Sequence, residues 1–145
     1  MGISEKIQRI IKKILKYISR MFSKTPKRKF YFGMFYKHCK VKDNVILVES
    51  FHGSNISDST LALVRQILKS YPGKYKIYYG RENKKKHAEF IKEIGLDVKL
   101  IDVTTFKYTK ILASAKYLIN NSSFPVYFVK KPEQVYIQTW HGTPL

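Results

Sequence analysis

The sequence predicts an α/β fold, a Rossmann-like domain with a parallel sheet that follows an amphipathic N-terminal helix. Between residues 44 and 140, short runs of β-branched and aromatic residues alternate with helical patterns, an order typical of βαβ units. The chain has 145 residues, of which 44% are hydrophobic and 14% are aromatic. This composition supports one folded domain with its own core.

The body of the chain is predicted to contain strands that alternate with helices. Runs rich in valine, isoleucine and tyrosine place the strands at 44–50, 74–80, 97–103, 116–121 and 134–140. The spacing of apolar residues places the helices at 58–71, 84–95 and 105–115. Ser57 or Asp58 is the expected cap of the first of these helices, and Gly95 is the expected stop of the second. The basic, aromatic segment 23–40 is predicted to be a linker that contains a core-packed strand.

The N-terminal segment 3–22 is predicted to be a helix with one apolar stripe, because its apolar residues recur at intervals of three and four. Its other side carries the basic residues Lys6, Arg9, Lys12, Lys13, Lys16 and Arg20. At the centre of a bilayer each would cost about 2.5–3.5 kcal/mol, whereas on an anionic leaflet each gains about 1 kcal/mol. We therefore expect these residues to contact a membrane surface, with docking of the helix on its own domain as the alternative. The predicted boundary separates a leader at 1–29 from a domain at 30–145.

The net charge of +18 is concentrated near the N-terminus. Residues 1–44 contain 13 basic and 2 acidic side chains (+11), and residues 45–145 contain 15 and 8 (+7). Such an excess predicts an anionic partner, which is nucleic acid, anionic lipid or a phosphorylated substrate. No helix-turn-helix or zinc-finger pattern supports nucleic acid, and the single cysteine, Cys39, excludes a disulfide framework and a cysteine-rich zinc site.

Two predicted strands end in the same pattern of residue types. The first continues into ESFHGSNISD and the last into QTWHGTPL, so that an aromatic residue, a histidine, a glycine and a hydroxyl residue precede each helix start. Because ligands bind at the carboxyl ends of strands in open α/β sheets, His52 and His141 are expected on one edge. Gly53 and Gly142 let the backbone approach a ligand, and a helix N-terminus attracts anions and keeps a histidine neutral. A hydrogen-bonded structural role is the alternative for each histidine.

The segment YLINNSSFPVYFVKKPEQVYIQTWHGTPL resembles the signature region of the CDP-glycerol glycerophosphotransferase family, the bacterial teichoic acid primases and polymerases. The resemblance rests on Asn-Asn-Ser, Phe-Pro, a basic pair and Trp-His-Gly-Thr in that order. The segment VILVESFHGSNISDS is similar to an earlier part of the family's sequence. Together these segments extend the resemblance over about residues 45–145.

The resemblance implies a GT-B fold, of which this chain is the N-terminal, acceptor-side half, truncated before the donor-binding domain. It implies transfer of glycerol phosphate, or a related alditol phosphate, from CDP-glycerol or another CDP-alditol to a lipid-linked acceptor. His141 is then the expected general base. Substrate contacts are expected from residues that follow three of the strands: His52, Gly53, Asn121, Ser122, Gly142 and Thr143. For the asparagine and the serine, turn formation is the alternative.

The expected location is the cytoplasmic face of the cell membrane, where the protein is bound peripherally. We expect no cofactor, no metal and no nucleic acid partner. Two other enzyme or binding classes stay open at this point: a nucleotide-sugar glycosyltransferase of cell-surface polysaccharide synthesis, and a basic nucleic-acid-binding protein. A non-catalytic membrane-anchoring module is a third alternative.

Overall fold

The computed structural model describes residues 24–82 and 85–140, which form a parallel sheet with helices on both faces. The strands are β1 (Lys42–Glu49), β2 (Lys76–Arg81), β3 (Lys99–Asp102), β4 (Ala115–Asn120) and β5 (Val135–Gln138). The helices are α1 (Lys24–His38), α2 (Asp58–Ser70), α3 (Lys85–Glu93) and α4 (Phe106–Ser114). The five strands lie in the order β3-β2-β1-β4-β5, which confirms the predicted Rossmann-like class.

The predicted elements of the body are present, with ends that differ by a few residues. Gly95 ends α3 as expected: its φ is +62°, and the bonds Gly95 N–H to Lys92 O (3.2 Å) and Leu96 N–H to Ile91 O (3.2 Å) close the helix. The last strand ends at Gln138 rather than 140, because Trp140 adopts a left-handed conformation with φ of 56°.

The predicted strand within 23–40 is wrong, because residues 24–38 form helix α1. Aromatic residues favour strands, but here Phe32, Phe35 and Tyr36 recur at helical intervals and face the rest of the domain. Helix α1 packs against α4, with the rings of Tyr31 and Phe106 3.7 Å apart at their centroids. The helix continues through residues 29 and 30, where the leader was predicted to end. The predicted helix at 3–22 lies outside the described residues.

Two apolar cores lie on opposite faces of the sheet. Val45 and Leu47 of β1 join the core beneath α1 and α4, and Ile46 and Val48 join the core beneath α2 and α3. Because both faces are covered, β1 has a continuous apolar run rather than an alternating one.

The chain reverses its direction of strand addition between β1 and β4. The strands β2 and β3 extend the sheet on one side of β1, whereas β4 and β5 extend it on the other. At the carboxyl edge, Glu49 of β1 is paired with Asn120 of β4. Ligands of open α/β sheets bind in the crevice at such a switch point, so this edge is where a site is expected.

Candidate active site

The segment that follows the last residue of β1, called the β1 exit, is a tight turn in a strained conformation. Phe51, His52 and Gly53 have φ values of 46°, 55° and 82°. Only glycine adopts this region at low cost, and Gly53 is also confined: an added Cβ would lie 3.0 Å from Val103 Cγ1 and 3.2 Å from the backbone nitrogen of Glu82. The His52 side chain is exposed beside this turn.

The exit of β4 holds this turn through two side chains. The backbone N–H of Phe51 donates to Asn121 Oδ1 (2.8 Å), and that of His52 donates to Ser122 Oγ (3.2 Å). Asn121 is fully buried, and its Nδ2 donates to Asp58 Oδ2 at the start of α2 (2.9 Å). The structure thus brings the predicted residues Asn121 and Ser122 to His52. Both make hydrogen bonds within the protein, and substrate contact by them stays a prediction.

The exit of β5 lies on the other side of the same segment. The backbone N–H of Thr139 donates to Asn120 O (2.9 Å), and Gln138 Nε2 donates to Ser122 O. Trp140 follows with a left-handed φ of 56°, like its counterpart Phe51 in the β1 exit. Residues 120–122 therefore connect the two exits. His141, Gly142 and Thr143 lie outside the described residues, so their placement at this edge stays a prediction.

Backbone strain is concentrated at this edge of the sheet. In the described part of the chain, the non-glycine residues with positive φ are Phe51, His52, Asp58 and Trp140. All of them follow the carboxyl ends of β1 or β5 or begin the helix beyond β1. A strained backbone conformation persists only where the surrounding structure holds it in place, and such residues cluster at functional sites.

A buried carboxyl group lies below the β1 exit. Glu49 is 2% exposed and accepts a hydrogen bond from the Tyr108 hydroxyl at 2.6 Å. Burial raises the pKa of Glu49 from 4.5 to about 7; the Tyr108 bond acts in the opposite direction, and the charge of Glu82 adds to the rise. Gly80 leaves room for the carboxyl group, because a Cβ there would lie 3.3 Å from Glu49 Oε2. Sequence reasoning missed Glu49, although an acidic residue at the end of the apolar run VILV was a usable signal.

Three buried hydroxyl groups fix the β1 exit to the first turn of α2. Ser50 Oγ is hydrogen-bonded to Thr60 Oγ1 and to the Tyr79 hydroxyl, and the latter two are 2.8 Å apart. Burial raises the pKa of Tyr79 despite its bonds to Ser50 and Thr60. The three side chains are fully buried and lie beneath the turn, so they stabilise it rather than contact a ligand.

Asn120 lies between the exits and is fully buried. Its Oδ1 accepts from the backbone N–H of Ser122 (2.7 Å), whereas its buried Nδ2 has no hydrogen-bond partner among the residues that the structure describes. Across residues 24–82 and 85–140, no group of three histidine, cysteine or acidic side chains is arranged to hold a metal ion.

Comparison with known families gives a match over most of the chain. Residues 30–145 match the family described as CDP-Glycerol:Poly(glycerophosphate) glycerophosphotransferase. The teichoic acid poly(glycerol phosphate) polymerase of Bacillus subtilis (strain 168) is 33% identical over 135 residues, which are 93% of this chain and 17% of that protein. The teichoic acid glycerol-phosphate transferase of Staphylococcus aureus (strain NCTC 8325 / PS 47) is 32% identical over 70% of this chain and 25% of its own length.

Solved structures of the wall teichoic acid polymerase TagF have the same fold. A variant of TagF superimposes with a TM-score of 0.72 and 26% identity, over 100% of this chain and 33% of the TagF chain. The same TM-score is found for a TagF variant soaked with CDPG, which this chain covers to 33%. The chain therefore spans about a third of TagF and a smaller share of the curated polymerase from Bacillus subtilis.

Proposed function

The chain belongs to the CDP-glycerol:poly(glycerophosphate) glycerophosphotransferase family, and we propose that it forms the acceptor-side part of a longer transferase. The reaction is transfer of glycerol phosphate, or a related alditol phosphate, from a CDP-alditol to a lipid-linked acceptor. The product is a teichoic acid or a related cell-surface polymer. The observation that carries this proposal is the meeting of the β1 and β5 exits on residues 120–122, with the strained residues of the described chain at that edge.

The chemical step needs a base for the acceptor. An acceptor hydroxyl oxygen attacks the β-phosphorus of the CDP-alditol, and a new phosphorus–oxygen bond forms. The bond from that phosphorus to the bridging oxygen breaks, and CMP leaves with the electron pair. In this proposal His141 takes the proton of the attacking hydroxyl, and the helix predicted to begin at Thr143 and Pro144 keeps the imidazole neutral.

The other proposed contacts come from residues that follow the carboxyl ends of the strands. His52 projects from the rim of the turn and contacts hydroxyl or phosphate groups of the acceptor, while Gly53 lets the backbone approach them. Gly142 and Thr143 contact a phosphate group at the start of the predicted helix.

The proposed location is the cytoplasmic face of the membrane, because a lipid-linked acceptor is presented there. The basic residues of segment 3–22, from Lys6 to Arg20, hold the protein on anionic lipid. In the part of the chain that the structure describes, no helix is both long and apolar enough to cross a bilayer.

The test uses the full-length enzyme that carries this sequence, with CMP release from CDP-glycerol as the readout. His141→Ala should lower turnover by about 10²–10⁴-fold, because the attacking oxygen then keeps its proton in the transition state. His52→Ala should lower turnover less, since His52 contacts the acceptor without taking a proton. The affinity for CDP-glycerol should change little in both variants.

Two results would contradict the proposal. Near-normal turnover by a folded His141→Ala enzyme would remove the proposed base. Turnover of a nucleotide sugar in place of CDP-glycerol would assign the chain to the alternative glycosyltransferase reaction.

A further inference from the structure

A cavity of about 230 Å³ opens between helix α1 and the start of helix α4. Its lining consists of two cations, two hydroxyl groups and two aromatic rings, which belong to Lys27, Arg28, Thr104, Thr109, Tyr31 and Phe106. None of them is acidic. A cavity that combines positive charge with hydroxyl donors is suited to an oxyanion such as a phosphate group.

The cavity lies at the carboxyl edge of the sheet, next to the β1 exit. Thr104 follows the end of β3, and Val103 lies directly before it. A Cβ added to Gly53 in the β1 exit would lie 3.0 Å from Val103 Cγ1, so the segment between β3 and α4 packs on that turn. Tyr108 in the first turn of α4 also reaches β1, where its hydroxyl donates to Glu49 Oε2 (2.6 Å). A ligand in the cavity is therefore adjacent to the candidate active site.

Two buried donor groups in this region have no hydrogen-bond partner in the part of the chain that the structure describes. They are Nε of Arg28 and the hydroxyl of Tyr127. Thr109 lies next to the Tyr127 hydroxyl, but its own hydroxyl donates to Thr105 O (3.2 Å). Buried donors in native proteins almost always have an acceptor. Two of them without one, in the same region, indicate that a bound group supplies the acceptor oxygens.

The two donors lie close to each other. Burial raises the pKa of Tyr127, and the positive charge of Arg28 acts against this rise, so the guanidinium is near the hydroxyl. Tyr127 is 9% exposed, and its hydroxyl is inside the protein. Arg28 is half-buried and lines the cavity. Its guanidinium therefore connects the open cavity with the buried hydroxyl.

The charge of Arg28 is not neutralised by the carboxyl groups nearby. Asp102 Oδ1 accepts from the backbone N–H of Thr104 (2.7 Å), and the carboxyl group of Glu49 is buried with its pKa raised to about 7. Among the described residues, neither forms an ion pair with Arg28. Helix α4 has no acidic residue in its first turn, so the positive end of its dipole adds to the field in the cavity.

We propose that this cavity is a phosphate subsite for the acceptor, which binds the phosphodiester group that precedes the attacking hydroxyl. The inference rests on the proposed transferase reaction, with an acceptor that already carries a glycerol phosphate unit. Arg28 and Lys27 neutralise the phosphate, and the exposed hydroxyl of Thr104 donates to one of its oxygens. The terminal hydroxyl of the acceptor is then held at the carboxyl edge. The subsite thereby favours an acceptor with a glycerol phosphate end over one without it.

The experiment measures binding by equilibrium dialysis to the full-length enzyme that carries this sequence, with saturating CMP to fill the donor site and no lipid present. The probes are glycerophosphoglycerol, a phosphodiester of two glycerols, and inorganic phosphate. Arg28→Gln should weaken binding of the diester by about 10- to 100-fold, because a charge-assisted hydrogen bond is lost. Arg65→Gln makes the same change at an exposed position of α2 and should bind the diester within about 2-fold of the wild type, since distant exposed charges are screened.

Tyr127→Phe tests the buried donor separately from the fold. Because the hydroxyl has no partner in the ligand-free protein, its removal should leave the stability in urea unchanged or raise it. The same variant should weaken binding of the diester by about 3- to 10-fold. Tyr71→Phe, at an exposed ring, should change neither quantity. A loss of stability in Tyr127→Phe would show that the hydroxyl is bonded within the protein, which contradicts the proposed subsite.

Steady-state kinetics give an independent measure, in which Arg28→Gln should raise the KM for the acceptor by about 10-fold or more and lower kcat by a smaller factor. The subsite is overturned if the wild type does not bind the diester, or if Arg28→Gln binds it like Arg65→Gln. Equal affinity for inorganic phosphate and the diester would overturn the assignment to the acceptor. An enzyme that binds the diester but releases no CMP from CDP-glycerol would instead contradict the proposed reaction.

Discussion

Two strand exits of this domain have matching sequences and different surroundings. ESFH at 49–52 begins with the last residue of β1, and QTWH at 138–141 begins with the last residue of β5. In the first, Glu49 is 2% exposed and Ser50 is fully buried, whereas in the second their counterparts Gln138 and Thr139 are exposed and half-buried. Both exits lie beside Asn120, which is paired with Glu49 on one side and with Gln138 on the other.

The difference follows from the positions of the strands in the sheet. Strand β1 is central and covered on both faces, so its exit rests on a buried polar network. Strand β5 is at the edge of the described sheet, and its exit is held to residues 120–122 by backbone and side-chain bonds at the surface. The same residue pattern therefore forms a rigid, largely buried turn after β1 and an accessible surface segment after β5.

The largest expected effect tests the rigidity of the β1 exit. Gly53→Ala should lower the free energy of unfolding by about 2–5 kcal/mol, because a left-handed φ is unfavourable for alanine and its Cβ would contact Val103 and Glu82 too closely. Gly73→Ala is the matched control: its φ is +71°, but no atom lies within 4 Å of the added Cβ, so only about 1–2 kcal/mol should be lost. Urea denaturation measures both. Equal losses would show that the β1 exit is not tightly packed.

The second prediction concerns the carboxyl group below that exit. Because the pKa of Glu49 is raised from 4.5 to about 7 by burial, the folded state binds a proton that the unfolded state releases. The resulting stability is fully present below pH 4.5 and is lost as the pH rises through 7. The loss should be on the order of 3 kcal/mol.

Glu49→Gln provides the control for this pH dependence. Glutamine cannot ionise, so the variant should lack the Glu49 contribution between pH 4.5 and 7. The measurement is the difference between wild type and Glu49→Gln in urea denaturation across that range. A constant difference would mean that Glu49 titrates normally and that the space beneath the β1 exit is accessible to water.

The sequence was sufficient to predict the sheet and the edge at which the candidate site lies, but not helix α1, which precedes the sheet. Strand-like and helix-like spacings of apolar residues alternate along the body of the chain, and this alternation was enough to locate each strand. The proximity of His52, Asn121 and Ser122 followed from the parallel topology, which brings the carboxyl ends of β1 and β4 to one edge. Segment 24–38 was misassigned because its many aromatic residues favour strands. The helix is instead stabilised by the packing of Phe35 on Phe106 of α4 and of Phe32 on the rings of Tyr127 and Phe128. The roles of Glu49 and Tyr108 required the structure, because their 59-residue separation gives no local pattern.

The smallest expected change in the free energy of unfolding compares the two exits most directly. Asn121→Ala should lower the free energy of unfolding by about 1–3 kcal/mol, since the N–H of Phe51 is left without its acceptor in a partly buried turn. Gln138→Ala, in an exposed position beside the same segment, should change it by less than about 0.5 kcal/mol. Amide hydrogen exchange should accelerate at Phe51 and His52 in the first variant and remain unchanged in β1 and β5 in both. If Gln138→Ala costs as much as Asn121→Ala, the two exits are equally supported and the comparison above is wrong.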